Sequence, residues 1–168
     1  MCAKQLNDKD VMNILIDTAL SNGATAADCV LSRSRGLSLT RRLGKDETLE
    51  RYEDFDTGLR VFVGNQIASV STNDNSETAI RDVAKRAVDM AKIAPQDDFS
   101  LIASQETLND FPIQNSISVD SYDDVEPNID IIRDRAKEVE DSALSVKGIT
   151  NSDGADASWG EGETLLMT

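Results

Sequence analysis

Cys29-Val30-Leu31-Ser32-Arg33-Ser34-Arg35-Gly36-Leu37-Ser38-Leu39-Thr40-Arg41-Arg42-Leu43 is the stretch on which the fold class turns. Cys29, Leu31, Leu37, Leu39 and Leu43 occupy its odd positions. Ser32, Ser34, Ser38, Thr40 and Arg42 occupy its even ones. A two-residue period is that of a strand with one buried and one wet face. Arg33 and Arg35 fall on the apolar parity. The buried face therefore reaches solvent there, or a bulge intervenes near Gly36.

Further strands follow. Gly44-Lys45-Asp46 is a turn signal. Residues 48–56 alternate again, with Leu49, Arg51, Glu53 and Phe55 on one side. Thr57-Gly58 punctuates the run, and Leu59, Val61 and Val63 then share a face opposite Phe62. Gly64-Asn65 has the form of a tight hairpin turn before a short strand over 67–72. Residues 28–72 thus read as three or four antiparallel strands in a meander.

Helical spacing brackets this sheet. Val11, Ile14, Leu15, Thr18 and Ala19 recur at helical intervals over 8–22, with Asn7 or Asp8 as cap and Gly23 as terminator. Asp74 and Glu77 have the spacing of a capping box for a second helix. Ile80, Val83, Ala84, Ala87 and Ala91 form its stripe, and Pro95 stops it. Pro127 suits the first turn of a third helix, with Ile129, Ile132, Ala136, Val139 and Ala143 inward and Gly148 at its end. Residues 95–125 read as a long surface connection anchored by Leu101, Ile102, Leu108 and Phe111. Residues 149–154 read as strand and turn, and residues 155–168 as extended. The expected fold is α/β of the α+β kind, a two-layer domain with a mostly antiparallel sheet covered by about three helices. Residues 1–145 would form the domain. Residues 146–168 would open the following strand region, truncated in mid-strand at Leu165-Leu166-Met167-Thr168 as in a fragment of a longer protein.

Composition removes whole classes of function. Histidine is absent among the 168 residues. This excludes a Ser-His-Asp or Cys-His catalytic pair, any His-containing zinc site and imidazole acid–base work. The net charge of −14 opposes binding to nucleic acid through its phosphates and to an anionic membrane surface. No apolar run approaches the roughly 20 residues of a bilayer span, and the first residues lack a signal-peptide core, so the cytoplasm is the expected location. The two cysteines, Cys2 and Cys29, cannot build a disulfide framework. Cys29 reads as a small buried hydrophobe, and Cys2 as a reduced terminal thiol.

No catalytic, metal-binding or cofactor-binding residue stands out. Gly58, Gly64 and the glycines from Gly154 to Gly162 lack the strand–loop–helix setting of a phosphate loop. Asp97-Asp98 and Asp123-Asp124 with Glu126 lack the alternation of a calcium loop and read as solvated acids. Ser32, Ser34, Ser38, Ser69 and Ser71 have no base to activate them. The feature of interest is the sheet, whose polar outward parity or open edge can receive an extended peptide.

Several segments, taken in order, resemble the N-terminal region of the PmbA/TldD family, the so-called modulators of DNA gyrase. Asn22-Gly23-Ala24 through Gly36-Leu37-Ser38 looks like that family's first strand. Gly58-Leu59-Arg60-Val61-Phe62-Val63-Gly64 with Ala68-Ser69-Val70-Ser71-Thr72 looks like its second hairpin. Residues 79–97, ending Ala94-Pro95-Gln96-Asp97, are similar to its helix and the connection after it. Ile149-Thr150-Asn151-Ser152-Asp153-Gly154 looks like the segment opening its next strand region. The pattern is closer to the PmbA branch, also called TldE.

This resemblance implies a cytoplasmic TldD–TldE metalloprotease assembly that processes unfolded peptides. It places a zinc motif, HExxxH with a later cysteine, in the TldD partner. The present chain would be a non-catalytic part that helps to shape the peptide chamber, with no cofactor of its own and zinc expected in the partner subunit. No catalytic or metal residue carries over, because the chain has no histidine. The competing expectation is a free-standing acidic interaction module that binds a basic or gyrase-related partner without proteolysis.

Overall fold

The computed structural model describes residues 6–103, 106 and 119–168. The order of elements is α1 (Asp8–Ser21), β1 (Ala26–Arg42), β2 (Lys45–Val63), β3 (Gln66–Thr72), α2 (Glu77–Ile93), α3 (Ile129–Leu144) and β4 (Ala155–Met167). The strands form one antiparallel sheet in the order β3-β2-β1-β4, as the α+β reading requires. The chain divides into two compact units. Met1–Ser32, Phe55–Ile117 and Thr164–Thr168 make the first, and Arg33–Asp54 with Ser118–Glu163 the second.

In the first unit, α1 and α2 cover the strands. Val11, Leu15 and Ala19 of α1 meet Ile80, Ala84, Ala87, Val88 and Ala91 of α2 above Ala27, Cys29 and Leu31 of β1 and Leu59 and Val61 of β2. The expected apolar stripes of both helices are buried apart from Ile14, which packs partly buried at the margin. Asn7 caps α1 by accepting from the Asp10 amide at 2.8 Å. Gly23 follows its C-cap at a φ of 107°, a conformation that a residue without Cβ adopts freely. β2 and β3 pair from Thr57↔Thr72 to Val63↔Gln66.

In the second unit, α3 lays Ile129, Ile132 and Ala136 on Leu37 and Leu39 of β1 and Ala157 and Trp159 of β4. Leu37 and Leu39 keep the odd parity read from sequence, and both are buried. The turn between β1 and β2 falls at Leu43-Gly44, one residue before the expected signal. Leu43 has a φ of 46° and Gly44 of 78°, so both central residues are left-handed, as a two-residue turn between twisted strands prefers. Leucine is poorly suited to that conformation. Glu140 of α3 compensates: its carboxylate accepts from the Leu43 amide at 2.6 Å and from the Gly44 amide at 3.0 Å. Arg41 Nε lies 3.7 Å from the same carboxylate.

Several readings need correction. β2 runs unbroken through Thr57-Gly58, so residues 28–72 hold three strands. Gly58 sits in close packing: a Cβ there would lie 3.1 Å from Val30 Cγ1. The cap of α2 is Ser76, accepting from the Ala79 amide, while Asp74 accepts from the Ser76 amide in the preceding turn. Asn128 caps α3, and Pro127 precedes it. That helix ends at Leu144, before Gly148. Its inward stripe is Ile132, Ala136 and Glu140, whereas Val139 and Ala143 are exposed. Residues 149–154 contain no strand. Leu101 and Ile102 are exposed and do not anchor the connection. Leu108 and Phe111 lie outside the described residues.

Two outcomes follow from this packing. Leu31→Ala removes a fully buried side chain and should cost about 2–5 kcal/mol in urea unfolding. The Glu140 carboxyl is held below its ordinary 4.5, first by the Gly44 amide and against the opposing effect of burial. Its stabilisation is therefore complete above about 4.5 and is lost as pH falls through the lower folded value. Glu140→Gln should lower the urea midpoint at pH 7, and the gap from the parent should narrow at pH 3.

Candidate functional site

Two surfaces gather polar side chains of the sheet. The first is an open groove of about 490 Å³ in the first unit. Asp28 and Val30 of β1, Gly58 and Arg60 of β2, Ser69 of β3 and Leu166 of β4 line it. Strand alternation puts Asp28 and Val30 on the parity opposite Cys29 and Leu31, whose side chains enter the core. Arg60 grips Asp28 through Nε, at 3.0 and 3.1 Å from the two carboxylate oxygens, and through a further short contact from its terminal nitrogen. That contact raises the Arg60 guanidinium above its ordinary value. The two charges neutralise each other, and the remaining wall is largely apolar. The carboxylate that shares this lining with Ser69 is Asp28, and Arg60 binds it.

The second surface is a charged network in the second unit. Arg35 of β1 binds Glu161 of β4 and lies 3.1 Å from Glu126. Its guanidinium stacks over Trp159, 5.6 Å from the ring centroid. Glu161 raises the Arg35 guanidinium above its ordinary value, as a hydrogen-bonded anion should. Arg51 of β2 binds the other oxygen of Glu126 at 3.0 Å. Glu126 thus ties the segment before α3 to two strands. The arginine that broke the apolar parity of β1 is explained: it meets acidic partners on neighbouring elements. Each pair is at least partly exposed, so its worth lies in geometry more than in energy.

Tyr52 marks a third contact. An added Cβ at Gly36 would lie 2.4 Å from Tyr52 Cε1, and one at Gly160 would lie 3.3 Å from its hydroxyl. The ring occupies the space that side chains at those two glycines would need. Gly36 is therefore a seat for an aromatic ring within an unbroken strand.

The acid clusters resolve into turns and pairs. Asp97 accepts from the Phe99 amide at 2.9 Å and from the Ser100 hydroxyl at 2.8 Å, which hold its carboxyl low. Asp98 accepts from Asn65. Asp123 accepts from the Val125 amide. Among the described residues no group of three His, Cys, Asp or Glu side chains is placed to hold a metal ion. The donor set of this chain does not fit a zinc centre, since histidine is absent from the whole sequence. No helix among the described residues is long and apolar enough to cross a membrane.

Sequence reasoning missed Glu140, Glu161 and the pairing of Asp28 with Arg60. Glu140 stands four residues after Ala136 and eight after Ile132, so its place on the inward stripe was open to detection. The other partners are far apart in sequence and left no local signal.

Residues 27–91 match the family model of PmbA/TldA metallopeptidase domain 1. A metalloprotease PmbA homolog of Haemophilus influenzae is 28% identical over 155 residues, spanning 91% of this chain. Metalloprotease PmbA of Escherichia coli O157:H7 is 28% identical over 151 residues, spanning 87%. The chain covers 33% and 32% of these two relatives, about a third of their length. In fold it is similar to TldE from Thermococcus kodakarensis, with a TM-score of 0.71 and 16% identity over 93% of this chain and 34% of that one. A Bacteroides thetaiotaomicron protein named for modulation of DNA gyrase gives 0.78 and 23% over 95% and 35%. Over residues 27–91 the chain is similar in sequence to the first domain of the PmbA/TldA metallopeptidases, and over most of its length it shares the fold of a TldE protein and of a protein named for modulation of DNA gyrase.

Cys29 is buried, and burial pushes its thiol up to about 11, with the Asp28 carboxylate adding to the shift. A thiol held protonated and out of solvent is a poor nucleophile. Peptide mapping after iodoacetamide at pH 8 should find Cys29 unlabelled in the folded chain and alkylated in urea.

Proposed function

We propose that this chain is the N-terminal domain of a PmbA/TldE-like, non-catalytic subunit that pairs with a TldD-like protease in the cytoplasm. The assembly would degrade or process unfolded peptides. The observation that carries the reading is the match to relatives named metalloprotease PmbA over most of the chain, in a sequence without a single histidine. The similarity in fold to a protein named TldE points the same way.

Histidine is absent from the sequence and no metal-holding group stands among the described residues, which supports a structural contribution. Its first unit offers a rigid sheet backed by two helices, and its second a hairpin whose turn is clamped by Glu140. A domain of this kind can position surfaces around an unfolded chain without touching the bond to be cleaved. Zinc is assigned to the partner subunit.

The test uses the full-length protein that contains this chain, together with the TldD-like protein of the same organism. Affinity capture is followed by metal analysis and peptide cleavage by each component and by the pair. The expected result is a stable complex that cleaves unfolded peptide while this subunit alone holds no zinc. Stoichiometric zinc and cleavage by this subunit alone would overturn the non-catalytic role. Absence of both complex and cleavage would favour an acidic interaction module that binds a basic partner.

A further inference from the structure

The two flanks of β2 are unequal. β1 lies along one of them, and β3 covers the other only between the pairs Thr57↔Thr72 and Val63↔Gln66. Residues 45–54, the part of β2 in the second unit, have no strand on that second flank among the described residues. Every one of these residues is exposed. Alternate residues of a strand direct their amide and carbonyl groups to the same flank, so a row of such groups faces outward.

An edge of this length is commonly blunted by proline, a bulge or lysine. Residues 45–54 contain neither proline nor glycine, and their one lysine is Lys45, at the end of the stretch. β4, at one border of the sheet, carries Gly160 and Gly162, which weaken strand pairing. β3, at the other border, is short, and the side-chain amide of its Gln66 donates to the carbonyls of Lys92 and Ala94. The edge of β2 is therefore the best suited to take another strand.

Charge selects what could lie there. The stretch carries Lys45 and Arg51 against Asp46, Glu47, Glu50, Glu53 and Asp54, a net of −3. Asp46 is engaged by Arg41 and Arg133, and Arg51 by Glu126. Glu47, Glu50 and Asp54 carry no ion pair among the described residues, and alternation sends Glu47 to one face and Glu50 and Asp54 to the other. A second copy of this chain, with a net charge of −14, would bring like charges together across the edge. An extended segment rich in lysine or arginine would meet opposite charge on both faces.

We propose that residues 45–54 form an open edge that receives an extended basic peptide segment by strand addition. Backbone hydrogen bonds would hold the segment, and the acids on either face would select its charge. Binding there requires no cleavage, so this inference and the protease reading can fail separately.

The test titrates the chain into a fluorescein-labelled decapeptide of alternating lysine and valine, read by anisotropy. An alternating glutamate–valine peptide and a fully N-methylated lysine–valine peptide serve as controls. The lysine–valine peptide should bind at least tenfold more tightly than either control, and exchange of backbone amides within 45–54 should slow. The double variant Glu47→Lys/Glu50→Lys should weaken binding at least tenfold. Asp134→Lys/Glu138→Lys, the same charge change on exposed positions of α3, should alter it less than threefold. Equal binding of the N-methylated peptide, equal weakening by both double variants, protection confined to other residues, or no binding would each overturn the proposal. Self-association of the chain through this edge would do the same.

Discussion

A buried carboxylate decides where the long hairpin turns. Glu140 is 1% exposed and accepts from two consecutive backbone amides at Leu43 and Gly44. Those amides sit in left-handed residues, one of them a leucine. The position of the turn sets the pairing of β1 with β2, and a shift of one residue would reverse every side chain. Leu37 and Leu39 beside the turn would then leave the face that α3 covers. A charge on α3 thereby maintains the parity on which the burial of β1 depends.

The same hairpin serves two differently built units. The first packs two helices on its strands and buries mostly aliphatic side chains. The second has one helix, a smaller apolar cluster and a set of arginine–carboxylate contacts around Trp159. Such exposed contacts add little stability, but they fix direction, since a planar guanidinium between two carboxylates tolerates few arrangements. The groove of the first unit has its charges spent on each other. Among the described residues, the outer flank of β2 over 45–54 pairs with no strand, and Glu47, Glu50 and Asp54 carry no ion pair.

Much of the fold was legible from local pattern. The stripe of α2, Ile80, Val83, Ala84, Ala87 and Ala91, is buried throughout, because a helix with one apolar face has one way to lie on a sheet. The odd parity of β1 was equally plain. The errors came where one residue type served two purposes. Gly58 resembled a turn but permits the approach of Val30. Val139 resembled a core position but is exposed, and Glu140 takes the inward place, where it accepts from the turn amides.

Alternation and helical spacing act over a few residues, so the sequence by itself determined the strands and helices, the antiparallel sheet and the absence of histidine chemistry. Only the tertiary structure decided which distant residues meet. Arg35 finds Glu161 across 126 positions, and Leu43 finds Glu140 across 97. The order β3-β2-β1-β4, and with it the uncovered flank of residues 45–54, belongs to the same category. Such pairings depend on the path of the whole chain, and neither partner carries a mark of the other in its own neighbourhood.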